Sequence, residues 1–152
     1  TAFTIAHSIT LSLATLGLVH VPSPPVEAII ALSIVFVASE IIQQHRGREG
    51  LASRKPWLVA FSFGLLHGFG FAGALAEVGL PENAIPLALL FFNIGVEVGQ
   101  LIFILDVLAA YHLLRRLVAG RFELARLAPI PVYFIGGLAS FWVFERVSGF
   151  WG

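Results

Sequence analysis

The chain has 152 residues, 58% hydrophobic and 12% charged, with nine basic residues balanced by nine acidic ones. So little polar surface cannot cover a soluble domain of this size, so lipid must solvate it, and zero net charge excludes a nucleic-acid partner. Cysteine and methionine are both absent, which excludes disulfides, thiolate metal sites and redox pairs within the chain.

Apolar runs of roughly 20 residues, the length a helix needs to cross a bilayer, recur to the C-terminus. They predict an all-α, polytopic transmembrane helical bundle with about five transmembrane helices in a single transmembrane domain over 1–152. The first helix is expected over about 3–19, ending at Val21-Pro22-Ser23-Pro24-Pro25. Residue 1 is Thr1 rather than methionine, so an upstream segment with a further helix is expected. The second helix covers about 26–42, and the third about 57–78, starting at Trp57 after Pro56. The fourth covers about 86–113, long enough that it must tilt or protrude, and the fifth about 131–147. Prolines fall between helices or at their starts, where a missing N–H does least harm.

Positive charge is sharply divided. Arg46, Arg48, Arg54 and Lys55 lie between the second and third helices, and Arg115, Arg116, Arg121 and Arg126 follow the fourth. The other two turns carry none. The positive-inside rule then makes Thr1 and both basic loops cytoplasmic, with the turn at 79–83 and the C-terminus outside.

An ionisable side chain in hydrocarbon is costly unless paired or hydrated, so each needs an account. His67 lies about 15 Å into the third helix and Glu97 about 16 Å from the outer end of the fourth, both near the midplane. Asn93, Glu97 and Gln100 share one helix face. Gly95 and Gly99, on the other side, are spaced for close contact with a neighbouring helix backbone. The first helix carries Thr4, His7, Ser8 and Thr15 along one stripe. His7 is expected about one turn in from the cytoplasmic surface, at a depth similar to that of Glu40. A midplane set (His67, Asn93, Glu97) and an inner set (His7, Glu40, Gln100) would line a path to the cytoplasm.

A histidine beside glycine is more often a packing residue than a ligand, and Ser8, Thr15, Ser33 and Ser140 read as packing residues. Glu27, Glu77 and Glu145 sit near helix ends and read as solvated. Glu97 resists that reading. No Lys or Arg falls within a helix core, so its charge needs a proton, a bound cation or His67. Consecutive antiparallel helices would let His67 and Glu97 face one another. Imidazole, carboxylate and amide donors without sulfur suit Ni²⁺, Co²⁺ or Zn²⁺ rather than copper(I). If the charge is met by a metal, the expected ligands are His67 and Glu97, supported by Asn93 and His7, with Gln100 and Glu40 on the path. At an offset of 60, Phe3 and His7 align with Phe63 and His67, and Ser33 and Glu40 with Asn93 and Gln100, as in the parallel repeats of some transporters.

Three runs carry a family likeness: Phe3-Thr4-Ile5-Ala6-His7-Ser8-Ile9-Thr10-Leu11, Phe63-Gly64-Leu65-Leu66-His67-Gly68-Phe69-Gly70-Phe71-Ala72 and Phe92-Asn93-Ile94-Gly95-Val96-Glu97-Val98-Gly99-Gln100. With Pro56-Trp57 and the stretch Phe141-Trp142 to Glu145-Arg146, the chain resembles the HupE/UreJ family of bacterial membrane proteins, closest to its UreJ-like branch. The resemblance implies a multi-pass permease of the bacterial inner membrane for a divalent transition-metal cation, most often Ni²⁺ and sometimes Co²⁺. It places His67 in the family's intramembrane His-Gly motif and Glu97 in the polar helix that follows. Nickel permeases of this kind carry a His and then an Asp-His pair on a first helix. The only aspartate here is Asp106, so that motif would lie upstream of Thr1. No enzymatic activity and no cofactor are expected, because no dense catalytic ligand set occurs. The alternative is a non-transporting accessory subunit of a larger bacterial membrane complex, whose polar residues only fasten helices. Lipid and a divalent metal ion are the expected partners, and a homo-oligomer or a larger complex stays open.

Overall fold

The computed structural model describes residues 1–79, 84–117 and 128–150, less the side chains at 74 and 76–78. Glu77's side chain, most of the turn at 79–83, Arg121 and Arg126 lie outside the described residues. The rest form six helices and no strand: α1 (Ala2–Thr15), α2 (Ser23–His45), α3 (Leu51–Arg54), α4 (Pro56–Val78), α5 (Ile85–Leu117) and α6 (Pro129–Ser148). The chain is an all-α polytopic bundle. Helices α2, α4, α5 and α6 are long and apolar enough to cross a membrane, and α1 is a shorter apolar helix.

Local chemistry explains where the helices end. Hydropathy extends the first helix to Val19, but it stops at Thr15. Gly17 takes φ +72, its N–H donates to Ala14 O at 3.0 Å, and Leu18 N–H donates to Leu13 O at 2.9 Å. This is a Schellman closure, which needs a left-handed residue and so favours glycine. Gly47 (φ +76) closes α2 in the same way, through Gly47 N–H to Gln44 O and Arg48 N–H to Gln43 O, both at 3.0 Å. Pro24 and Pro25 fall in the first turn of α2, where their absent N–H groups were never going to find a partner. The short α3, within the basic loop, was not anticipated. Ala52 N–H donates to the Glu40 carboxylate at 2.7 Å, so the end of α2 caps α3. At 33 residues, α5 is about 50 Å long, well beyond the hydrocarbon thickness of about 30 Å, and its basic end carries Arg115 and Arg116.

The helices pack as two tight pairs. α1 lies along α4, and α2 lies along α6, with narrower contacts of α2 on α4 and α1 on α5. Glycine makes the α1–α4 seam. A Cβ at Gly64 would collide with Phe3 O and lie 2.9 Å from Ala6 Cβ, and one at Gly68 would collide with Thr10 Oγ1 and lie 2.9 Å from Leu11 N. Residues 3–6 oppose 64 and residues 7–11 oppose 68, so α1 and α4 run in the same direction. Two expectations change as a result. The close-contact glycines are Gly64 and Gly68; at Gly95 and Gly99 an added Cβ meets nothing within 4 Å. And α4 and α5, consecutive in sequence, are not broad neighbours. They meet through Phe71 and Phe92 (ring centroids 5.5 Å apart) and through a core cluster of Leu11, Ala72 and Leu89, with α1 against both.

Small residues also join α2 to α6. Ala139 is 1% exposed, and Ala38 Cβ would lie 3.0 Å from a Cβ on Gly136. Polar ties hold both ends of this pair: Arg146 to Glu27 at 2.9 Å, and Arg46 Nη2 to the Tyr133 hydroxyl at 3.3 Å. Glu27, read from sequence as solvated, is thus ion-paired.

Candidate metal site between α1 and α5

Helices α1 and α5 run antiparallel, and their polar residues meet one turn at a time. The Thr4 hydroxyl donates to Glu97 Oε2. One turn further along α1, Ser8 Oγ lies 2.7 Å from Asn93 Oδ1 and 2.6 Å from Thr4 O. His7 Nδ1 lies 3.2 Å from the same Asn93 oxygen. Asn93 Nδ2 donates back to Leu89 O at 2.8 Å. The i, i+4 spacing of Thr4 and Ser8 on one helix matches that of Asn93 and Glu97 on the other, so two rungs form across a single interface.

His7 is fully buried, and aromatic rings wall it in. It stacks on Phe3 (5.8 Å, 16°) and on Phe92 (6.0 Å, 18°), and meets Phe71 edge-on at 5.4 Å. Its Nε2 is buried with no hydrogen-bond partner. A buried polar atom left unpaired costs about 1–3 kcal/mol, and in this cage the atom is a free nitrogen donor. Glu97 is less enclosed, with its side chain 35% exposed and Oε1 3.8 Å from the Thr1 backbone nitrogen. A groove of about 410 Å³ runs from Leu16 and Pro86, at the end of the bundle where α1 finishes and α5 begins, down to Ser8 and Asn93.

His67 meets Phe3, the ring that also stacks on His7, edge-on at 5.3 Å. Its Nδ1 is 2.7 Å from Phe63 O on its own helix. It also lines a second cavity, of about 380 Å³, apolar and bordered by Val37, Phe63 and Ile135. The structure therefore brings together His7, Asn93 and Glu97 with Thr4 and Ser8, while His67 bonds within its own helix and packs against Phe3. Gln100 is exposed, and Glu40 caps α3. Among the described residues no group of three or more His, Asp or Glu side chains is placed to hold a metal ion. The donors that can touch a cation form a series, the imidazole level and then the carboxylate level.

Sequence reasoning did not give Thr4 and Ser8 a part in the site. The signal was present in their spacing, which complements Asn93 and Glu97. Hydroxyls on apolar helices usually bond their own backbone, which is why Ser8 read as packing.

The HupE/UreJ protein family model matches residues 1–146. The chain belongs to the HupE/UreJ family. The match covers every residue of the site and nearly the whole chain. Among curated proteins and solved structures, none matches. The HupE/UreJ membership and the apolar helices together describe a multi-pass membrane protein of transporter type.

Proposed function

We propose that this HupE/UreJ chain is a permease for a divalent transition-metal cation, Ni²⁺ or Co²⁺, in the bacterial inner membrane. Thr1 and the basic loops then face the cytoplasm, and the groove opens outward. The family's association with nickel and cobalt transport supports this reading. The observation that carries it is the pair of rungs inside an otherwise apolar bundle, imidazole and amide at one level and a carboxylate one turn further in.

A cation entering the groove passes Ser8 and Asn93 at its inner end, exchanges part of its water at His7, then passes to Glu97, with Gln100 beyond. His67 supplies a second imidazole against Phe3. Few ligands at each level keep binding weak, as conduction requires. The nitrogen and oxygen donors suit Ni²⁺ and Co²⁺.

Cellular uptake of radiolabelled Ni²⁺ and Co²⁺ tests the reading. Glu97→Gln keeps the shape and the Thr4 contact but removes the charge, and is expected to abolish accumulation at normal expression. His67→Ala is expected to reduce it. Normal uptake in Glu97→Gln would overturn the permease reading and favour the accessory-subunit alternative, to which the open Gly95/Gly99 face of α5 lends some support. Orientation has its own test. The chain lacks cysteine, so a single Ser53→Cys on α3 should react only from the cytoplasmic side, and labelling from outside intact cells would reverse the topology.

A further inference from the structure

The hydrogen bonds of Asn93 determine more than its own position. A backbone carbonyl only accepts, so the Asn93 atom facing Leu89 O is the amide nitrogen, at 2.8 Å. The oxygen must then face α1. There it meets two groups, Ser8 Oγ at 2.7 Å and His7 Nδ1 at 3.2 Å. An amide oxygen has two lone pairs and no proton to give. His7 must therefore donate from Nδ1, and the neutral ring carries its lone pair on Nε2. That nitrogen is buried and unpartnered, inside the cage of Phe3, Phe71 and Phe92.

We infer that Asn93 and Ser8 are positioning residues, which hold His7 in the Nδ1–H form so that Nε2 is the atom it presents to a divalent cation. The single Ser8 proton is shared between Thr4 O at 2.6 Å and the Asn93 oxygen at 2.7 Å, so that oxygen accepts from His7 and in part from Ser8. Asn93 thus acts on the cation through His7 rather than as a ligand, which departs from the role its sequence position implied. His67 reaches the same tautomer by a different route, donating Nδ1–H to Phe63 O at 2.7 Å. An outer partner that fixes the ring tautomer is a regular feature of imidazole ligands. The inference rests on the cation reading of the site.

The test uses the full chain, labelled with ¹⁵N-histidine in lipid nanodiscs, with His7 assigned by its loss in His7→Gln. In the metal-free protein, His7 should show a protonated Nδ1 and a bare Nε2, and Co²⁺ alone should perturb Nε2. Asn93→Leu should mix the tautomers and weaken Co²⁺ binding about 10-fold or more. Asn93→Asp, which keeps an acceptor at that place, should restore the Nδ1–H form. Ser8→Ala should shift the tautomer in the same direction as Asn93→Leu, by less, and serves if Asn93→Leu does not fold. A protonated Nε2 in the unsubstituted protein, or a tautomer unmoved by Asn93→Leu and Ser8→Ala, overturns the inference. A tautomer that responds as expected in a protein that binds no Co²⁺ overturns the permease reading instead, so the two failures are told apart.

Discussion

Two interfaces of the bundle correspond under the 60-residue offset. α1 meets α5, and α4 meets α2. His7 corresponds to His67, Asn93 to Ser33 and Glu97 to Val37, while Thr4 and Ser8 correspond to Gly64 and Gly68, which pack on α1 rather than on α2. In the first interface the polar groups bond across to the other helix. In the second, His67 bonds Phe63 O and Ser33 bonds Ile30 O at 2.7 Å, each on its own helix, while Phe36 and Phe63 pack edge to face at 5.8 Å. A lone polar side chain in an apolar contact turns back on its own backbone. A cross-helix network forms only where both helices supply polar groups at matching spacing. The presence of a histidine is therefore a weaker sign of a site than what stands opposite it.

The largest test of this comparison falls on the seam both interfaces share. Gly68→Leu drives a side chain into α1 backbone and the Thr10 hydroxyl, and is expected to destabilise by about 3 kcal/mol, the upper range for overpacking. Gly95→Leu projects into open space, and its thermal midpoint in detergent should match that of the parent. Equal midpoints for the two variants would mean that α4 does not hold α1 through glycine.

A smaller effect separates the interfaces directly. Asn93→Leu strips partners from His7 and Ser8, and should cost about 1–3 kcal/mol. Ser33→Ala removes only a bond within one helix and should cost less than about 1 kcal/mol. Chemical unfolding of both variants measures the contrast, and a costlier Ser33→Ala would break it.

The smallest effect concerns the end of α2. Glu40→Gln weakens the cap on Ala52, by about 0.5–1 kcal/mol on the scale of capping interactions. It should speed amide exchange in α3 while metal uptake stays at the parent level. Loss of uptake would return Glu40 to the transport path.

The helical segments were legible because lipid imposes runs of about 20 apolar residues, and the run that ends near Ile42 is visible without any structure. The end of α1 was not, because Leu18 and Val19 are apolar yet lie beyond the Gly17 closure; hydropathy senses solvent preference, not backbone handedness. Asn93, Glu97 and His7 stood out as polar residues in an apolar setting. Their partners did not, since two adjacent helices in sequence need not be adjacent in space. Placing α1 along α4 depends on Gly64 and Gly68, whose spacing is the same as that of Gly95 and Gly99. Only the shape of the opposing surface distinguishes the two pairs.

The double tie on the α2–α6 pair has a mechanical consequence. Held by Glu27–Arg146 at one end and Arg46–Tyr133 at the other, that pair resists splaying and tends to move as one body. α5 is anchored differently, with Leu89 its one buried residue among those described. A tilt of α5 would pivot about that anchor. Asn93 lies about 6 Å along the helix from the pivot and Glu97 about 12 Å, so any tilt displaces the carboxylate twice as far as the amide. Thr4 and Glu97 then part before His7 and Asn93 do, and the lever arm alone sets the order in which the two rungs open.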